Sequence, residues 1–277
     1  MIIFAPKGLS MTVREWIRYR EISGFPTFSV EEIKLEFHSY SEQVVRNELF
    51  RLSSQGILYP AYRGFYVIIP PQYAAKRIVP PMYYIDQLMS YLNKPYYISL
   101  LNAAEILGAA HQRPQRFSVT TILPKSSVSS SKNKSLVWTY RKEVPSDFLL
   151  SKNSETGVVY YSNVELTSID IVQYEQHIGG LSRAATVLEE LADQMDFRGA
   201  SNNLFQHTSI ATIQRLGYIL EEVLGRNEIA EILYAELLSY ANRFRYVPLR
   251  TDKSEVCAEK NTRWKVNVNS TIETDEI

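Results

Sequence analysis

Cysteine is nearly absent: Cys257 is the single one in 277 residues. No internal disulfide can form, and the composition suits a reducing cytoplasm. A lone thiol of this kind reads as incidental rather than as a nucleophile. Long hydrophobic runs are missing as well, none approaching the ~20 apolar residues that a membrane span requires. The opening MIIFAPKGLSM has no basic stretch followed by a long apolar core, so no secretory leader is expected. The four histidines, His38, His111, His177 and His207, are scattered without H-x-x-x-H or Cys/His spacing, which argues against a metal site. None of G-x-x-x-x-G-K-[ST], G-x-G-x-x-G or G-x-S-x-G occurs. Gly179-Gly180 lacks the rest of a phosphate cradle and reads as a helix stop. Glu189, Glu190, Asp193 and Asp196 fall on the outer face and end of a helix, and nothing marks them as an acid/base pair. The expectation is a protein that is not an enzyme and that holds neither cofactor nor metal.

Net charge is absent too, with 30 basic against 30 acidic residues, but the balance hides an asymmetry. Residues 1–142 carry 18 Lys/Arg and 9 Asp/Glu, and residues 143–277 carry 12 and 21. A basic first half points to a polyanion partner, and an acidic second half to a different task. Within the first half, the stretch from His111 to Lys142 holds seven basic residues and no acidic one. A solvated surface and a phosphate-facing or partner-facing patch compete as its explanation. Residues 1–70 alone carry 8 Lys/Arg against 7 Asp/Glu, so most of the positive charge lies outside them.

The remainder is a pattern of caps and stripes. Thr12 and Glu15 form a capping box opening a helix to about Ile22, with Val13, Trp16, Ile17 and Tyr19 as inward positions. Ser29 and Glu32 form a second box, starting a short helix in which Val30, Ile33, Leu35 and Phe37 are available for packing. After the turn His38-Ser39-Tyr40, Ser41 caps a further helix. Its Val45, Leu49 and Leu52 repeat at the spacing of one buried face. Gly56 ends that helix. Ile57 to Tyr59 and Phe65 to Ile69 then read as strands joined by Pro60-Ala61-Tyr62-Arg63-Gly64. Helix, turn, helix and two-stranded ribbon together predict a winged helix-turn-helix. Ser41, Gln43, Arg46 and Asn47 lie off the buried stripe near the start of the second helix, where such side chains meet base edges in the major groove. Arg63 sits at the wing tip, within reach of a phosphate or the minor groove. The competing readings are a winged helix used for protein contacts and a plain solvated face.

Pro70-Pro71 and Pro80-Pro81 bracket a linker candidate. The expected organisation is therefore α+β: a winged helix-turn-helix domain over 1–70, a linker over 71–82, and a mixed α/β domain over 83–277 that ends in a helical bundle. In that second part, helices are expected at Tyr83–Leu92 and within Tyr96–Gly108, and strands at 117–123, 136–140 and 157–161. A helix capped by Thr167 and Asp170 and three amphipathic helices from Leu181 to Tyr240 follow. A terminal strand is expected around Trp264 to Val268. Lys125 to Ser135 is a polar loop.

With these segments in place, the chain resembles the AbiEi antitoxin family of abortive-infection (type IV) toxin–antitoxin operons, a phage-defence system. The resemblance rests on RGFYVI (63–68), YYISLLNAAEILGAAHQRPQRFSVTT (96–121), ELTSIDIV (165–172), IGGL (178–181), IQRLGYILE (213–221) and WKVNVN (264–269), in that order and spacing. It implies a cytoplasmic antitoxin and transcriptional autorepressor. Its winged helix would bind promoter repeats in double-stranded DNA, and its C-terminal domain would neutralise a cognate nucleotidyltransferase-type toxin, directly or indirectly. No role carries over to the Ser-rich segment 126–131. The expected DNA-binding set is Ser41, Gln43, Arg46, Asn47 and Arg63, with Arg113, Arg116, Lys125, Lys132 and Lys134 as phosphate contacts. The runner-up is a winged-helix regulator whose C-terminal part senses a ligand or mediates oligomerisation. An enzyme carrying a DNA-targeting domain is the weaker third.

Overall fold

Both expected capping boxes form. In the computed structural model, which describes residues 11–109, 114–124, 135–254, 256 and 258–273, helix α1 (Val13–Ile22) starts at Thr12. The Thr12 hydroxyl accepts from Glu15 N while the Glu15 carboxylate accepts from Thr12 N at 2.8 Å. A short strand β1 (Thr27–Ser29) leads into α2 (Val30–Glu36), capped reciprocally by Ser29 and Glu32. Ser41 then caps α3 (Glu42–Ser54). Strands β2 (Leu58–Tyr62) and β3 (Phe65–Ile68) complete an antiparallel sheet in the order β1-β3-β2. Trp16 meets Phe28 edge-on at 5.2 Å and Phe37 at 6.2 Å, and the stripe Val45, Leu49 and Leu52 closes on the same core.

Two positions differ from expectation. Leu35 is exposed rather than packed. Arg20, not Tyr19, turns inward from the last turn of α1. Its guanidinium donates to Thr27 O at 2.7 Å, pairs with Glu32 at 3.3 Å and lies 4.9 Å over the Trp16 ring. Burial lowers the Arg20 pKa, and Glu32 opposes that shift. Glu32 thus caps one helix and compensates the charge of another, which ties α1 to the β1–α2 junction.

The chain folds as two compact units, and the first runs past the expected boundary at residue 70. It comprises Met1–Pro95, Pro124–Leu136 and Lys152–Val159. The proline pairs do not mark an extended tether: Pro71–Tyr73 and Pro81–Tyr83 are single 3-10 turns with proline in the first position, where its missing N–H costs nothing. Helix α4 (Ile85–Tyr91) follows, shorter than expected. Its flank packs on the ribbon, with Tyr84 against Tyr59 at 6.0 Å and Tyr91 against Phe65 at 5.4 Å.

The second unit, Tyr96–Leu123, Val137–Ser151 and Tyr160–Ile277, begins with strand β4 (Tyr96–Ile98) and helix α5 (Leu100–Ile106). Strands β5 (Phe117–Ile122), β6 (Leu136–Arg141), β7 (Leu149–Ser154) and β8 (Gly157–Ser162) join β4 in a sheet of order β6-β5-β4-β8-β7. Pairing of β4 is antiparallel to β5 and parallel to β8. Strand β5 is buried along its first five residues. Its polar groups are therefore satisfied internally: Ser118 N donates to Asn102 Oδ1 at 2.8 Å and Thr120 bonds Thr139 at 2.6 Å.

Helix α6 (Val164–Gln173) is capped by Asn163, so the expected cap residues Thr167 and Asp170 lie buried inside it. Helices α7 (Leu181–Leu191), α8 (Ile210–Tyr218) and α9 (Asn227–Tyr240) pack with α6 around one apolar core. Short strands β9 (Val247–Pro248), β10 (Glu259–Asn261) and β11 (Val266–Val268) form a third sheet, in the order β10-β11-β9. Among the described residues no helix is long and apolar enough to cross a membrane.

A buried charge network ties this unit's sheet to its helices. Arg141, at the end of β6, points away from solvent although it lies in the acid-free stretch read as solvated or phosphate-facing. Its Nε donates to Tyr97 Oη at 2.8 Å, one terminal nitrogen pairs with Asp170 of α6 and the other bonds His207 O. Tyr97 Oη in turn donates to Asp170 Oδ2 at 2.7 Å. Burial disfavours the guanidinium charge, but Asp170 outweighs it and holds the Arg141 pKa above its usual value. Burial, then Asp170, pushes the Tyr97 phenol well up. Asp170→Asn would strand the Arg141 cation and should cost about 3–5 kcal/mol, read as a shift in urea midpoint at unchanged m-value.

A second lock lies on α8. Gly217 faces the buried Trp264 ring so closely that a Cβ there would fall 2.1 Å from two ring carbons. The indole N–H is held by Glu221 and the Trp264 N–H by Asn261 Oδ1 at 2.8 Å, so the ring has nowhere to retreat. Alanine ordinarily gains ~1 kcal/mol over glycine within a helix. The overlap costs at least the ~1–3 kcal/mol of an overpacked core. Gly217→Ala should therefore lower the urea midpoint, and in a Trp264→Ala background, itself strongly destabilised, the same substitution should cost much less.

Candidate nucleic-acid interface

The outward face of α3 follows from its buried one. With Val45, Leu49 and Leu52 inward, the helical repeat turns Gln43, Asn47 and Phe50 to the far side and leaves Arg46 on the flank toward the ribbon. All four are exposed. Ser41 spends its hydroxyl on the cap, accepting from Val44 N at 3.3 Å. Gln43 Nε2 donates to Asn47 Oδ1 at 2.8 Å. The two amides therefore act as a unit, which leaves the Gln43 carbonyl oxygen as an acceptor and the Asn47 amide as a donor.

Arg46 lines a groove of about 720 Å³ whose other walls include Lys34, Glu42, Tyr62, Arg63 and Tyr66. Lys34 pairs with Glu42 at 2.8 Å, which neutralises one wall. Burial raises the Tyr66 phenol pKa, and the positive charge of Arg46 pulls it part of the way back. Arg46 and Arg63 form no ion pair within 4 Å among the described residues. Arg63 is exposed at the turn between β2 and β3. The turn is held from behind, because Tyr91 Oη donates to Arg63 O at 3.3 Å. Gly64 follows at φ +76°, and a Cβ there would come 2.8 Å from Tyr91 Oη. Glycine is required at that position for both reasons.

Of the residues expected to touch phosphates, Arg116 is exposed just ahead of β5. Arg113, Lys125, Lys132 and Lys134 lie outside the described residues. The structure thus brings Arg46 and Arg63 to one groove and Gln43 with Asn47 to the adjoining helix face. Sequence reasoning missed the contribution of Tyr91, and a tyrosine on a helix twenty-eight residues away carries no local signal of it.

A smaller cavity of about 240 Å³ lies in the second unit, with Gln173, Glu175, His177, Arg215 and Thr251 among its walls. Glu175 Oε2 is buried there without a hydrogen-bond partner, and burial raises the pKa of its carboxyl. Among the described residues no group of three His, Cys, Asp or Glu is placed to hold a metal ion.

Comparison with known proteins defines the class. Residues 97–222, from β4 to the turn after α8, match the model of the AbiEi antitoxin C-terminal domain. The second unit is built around an antitoxin domain. On that match, residues 97–222 form an AbiEi-family antitoxin domain. The fold is similar to the crystal structure of the RV2827C protein from Mycobacterium tuberculosis, at 15% identity and a TM-score of 0.63, covering 95% of this chain and 94% of that one. No curated protein matches the chain.

Proposed function

We propose that this antitoxin is also the autorepressor of its own toxin–antitoxin operon. The N-terminal unit acts as a winged helix-turn-helix that binds operator repeats, and the AbiEi domain neutralises a nucleotidyltransferase-type toxin. The observation that carries the reading is the joining of the antitoxin domain to an exposed α3 face. That face, Gln43, Asn47 and Arg46 beside Arg63 of the ribbon, has the hydrogen-bonding chemistry of base and phosphate recognition. Arg113, Arg116, Lys125, Lys132 and Lys134 serve as sequence-independent phosphate contacts in this reading. The pocket around Glu175 favours the alternative, a winged-helix regulator that senses a ligand through its second unit.

Co-expression with the toxin that this reading requires, a nucleotidyltransferase encoded in the same operon, tests the antitoxin half. Growth should be rescued by the full chain, and rescue should persist when Arg46 and Asn47 are both replaced by alanine. The same double variant should lose repression of a reporter driven by the operon's promoter. Failure of the wild-type chain to rescue growth would favour the ligand-sensing regulator.

In direct binding assays, Arg46→Ala or Asn47→Ala should each cost about 1–3 kcal/mol at one operator position and much less on random duplex. Equal weakening on both duplexes would remove base readout from α3.

A further inference from the structure

Phe50 is 73% exposed at the centre of the outward face of α3, one helical turn beyond Asn47. Leaving a phenylalanine in water forgoes ~1.5–3 kcal/mol that burial would supply, so a partner that covers it would recover that free energy. Its helical neighbours are Arg46, Asn47, Ser53 and Ser54, all polar, so Phe50 is a single apolar point on a polar face. Protein interfaces instead gather several apolar groups into a core. The two serines are spent on their own helix: Ser53 Oγ donates to Leu49 O at 2.8 Å and Ser54 Oγ to Phe50 O at 2.9 Å. Beyond Asn47, Phe50 is therefore the next side chain on this face free to reach outward.

Resting on the reading of α3 as the helix that enters the major groove, we propose that Phe50 is a specificity residue that packs on the 5-methyl group of a thymine. The methyl is the one apolar feature among the base edges of that groove, and phenylalanine suits it. The helix geometry also sets a register. A helix in the groove lies across the DNA axis, and side chains three to four residues apart meet successive base pairs. The thymine therefore lies about one base pair beyond the position met by Asn47 and about two beyond that met by Gln43.

The experiment uses the full chain and a duplex that it selects from a random-sequence library. Each thymine of that duplex is replaced in turn by deoxyuridine, which removes the methyl and leaves every hydrogen-bonding edge unchanged. One replacement should weaken wild-type binding about four-fold, the equivalent of one methyl group's transfer from water. That replacement should have no effect on Phe50→Ala and an intermediate effect on Phe50→Leu. Its position should adjoin the base pair whose substitution Asn47→Ala ceases to feel. Because Phe50 is exposed, the alanine variant should keep the wild-type urea midpoint. A selected duplex whose deoxyuridine replacements all affect wild type and Phe50→Ala equally would overturn the proposal while leaving DNA binding intact. A change in oligomeric state with Phe50→Ala would overturn it in favour of a protein contact. Enrichment of no duplex at all would overturn the DNA-binding reading and this inference with it.

Discussion

Burying a guanidinium and a carboxylate costs several kcal/mol per ion unless nearly every donor and acceptor is matched. Arg141 and Asp170 meet that demand by drawing on four separate pieces of chain. Tyr97 of β4 bridges the pair, β6 supplies the arginine, α6 the aspartate, and the backbone at His207 takes the remaining nitrogen. Displacement of any one piece leaves a charge or a phenol unpaired in an apolar surrounding. Tyr174 adds a further tie between the same two layers, donating to Tyr140 O at 3.0 Å. The relation between sheet and helices in the antitoxin domain is thereby fixed by charge pairing, and the Leu- and Ile-rich core is free to supply bulk stability. Whatever surface of this domain acts on the toxin is presented by a framework with one well-defined arrangement.

The N-terminal unit is held by different means. Its charge tie, Arg20 with Glu32, sits at the edge of an aromatic core of Trp16, Phe28, Phe37 and Tyr66. Helix α4 then braces the ribbon from outside the three-helix core. Tyr91 packs on Phe65 and holds the carbonyl of Arg63, which sets where the turn projects that arginine. Preorganisation of this kind matters for recognition, since ordering a mobile loop on binding would subtract from affinity. Residues 81–95 therefore belong structurally with the ribbon they brace.

Local signals were legible and distant ones were not. Capping boxes at Thr12/Glu15 and Ser29/Glu32 depend on residues three apart, and the α3 stripe on residues within two turns, so sequence alone locates them. Strand β1 is three residues long and exists because Thr27 to Ser29 pairs with Phe65 to Val67, a partner no local window contains. Strand β7 escaped notice because its residues are mostly exposed and lack strand alternation. Arg141 was indistinguishable from its basic neighbours because Asp170, its partner, is twenty-nine positions away. Proline opens a 3-10 turn as readily as it stiffens a tether, and Pro71 and Pro81 each open one. On α3, the polar face was readable from the wheel, and the same wheel places Phe50 on it once an exposed apolar residue is allowed to be informative.

Charge accounting changes once partners are known. Residues 1–70 carry almost no net charge, which looks weak for a domain proposed to hold DNA. Pairing redistributes that charge: Lys34 is matched by Glu42, Arg51 by Glu48, and Arg20 is buried against Glu32. Each such pair is electrically quiet at a distance, because its field is dipolar and salt screens it within ~10 Å. What remains around the groove is Arg46 and Arg63, with Glu31 as a further wall residue. A polyanion senses this local excess rather than the sum over the domain. A chain with zero overall charge can then present a basic face from its first unit while its acidic residues, concentrated after residue 142, stay with the antitoxin domain.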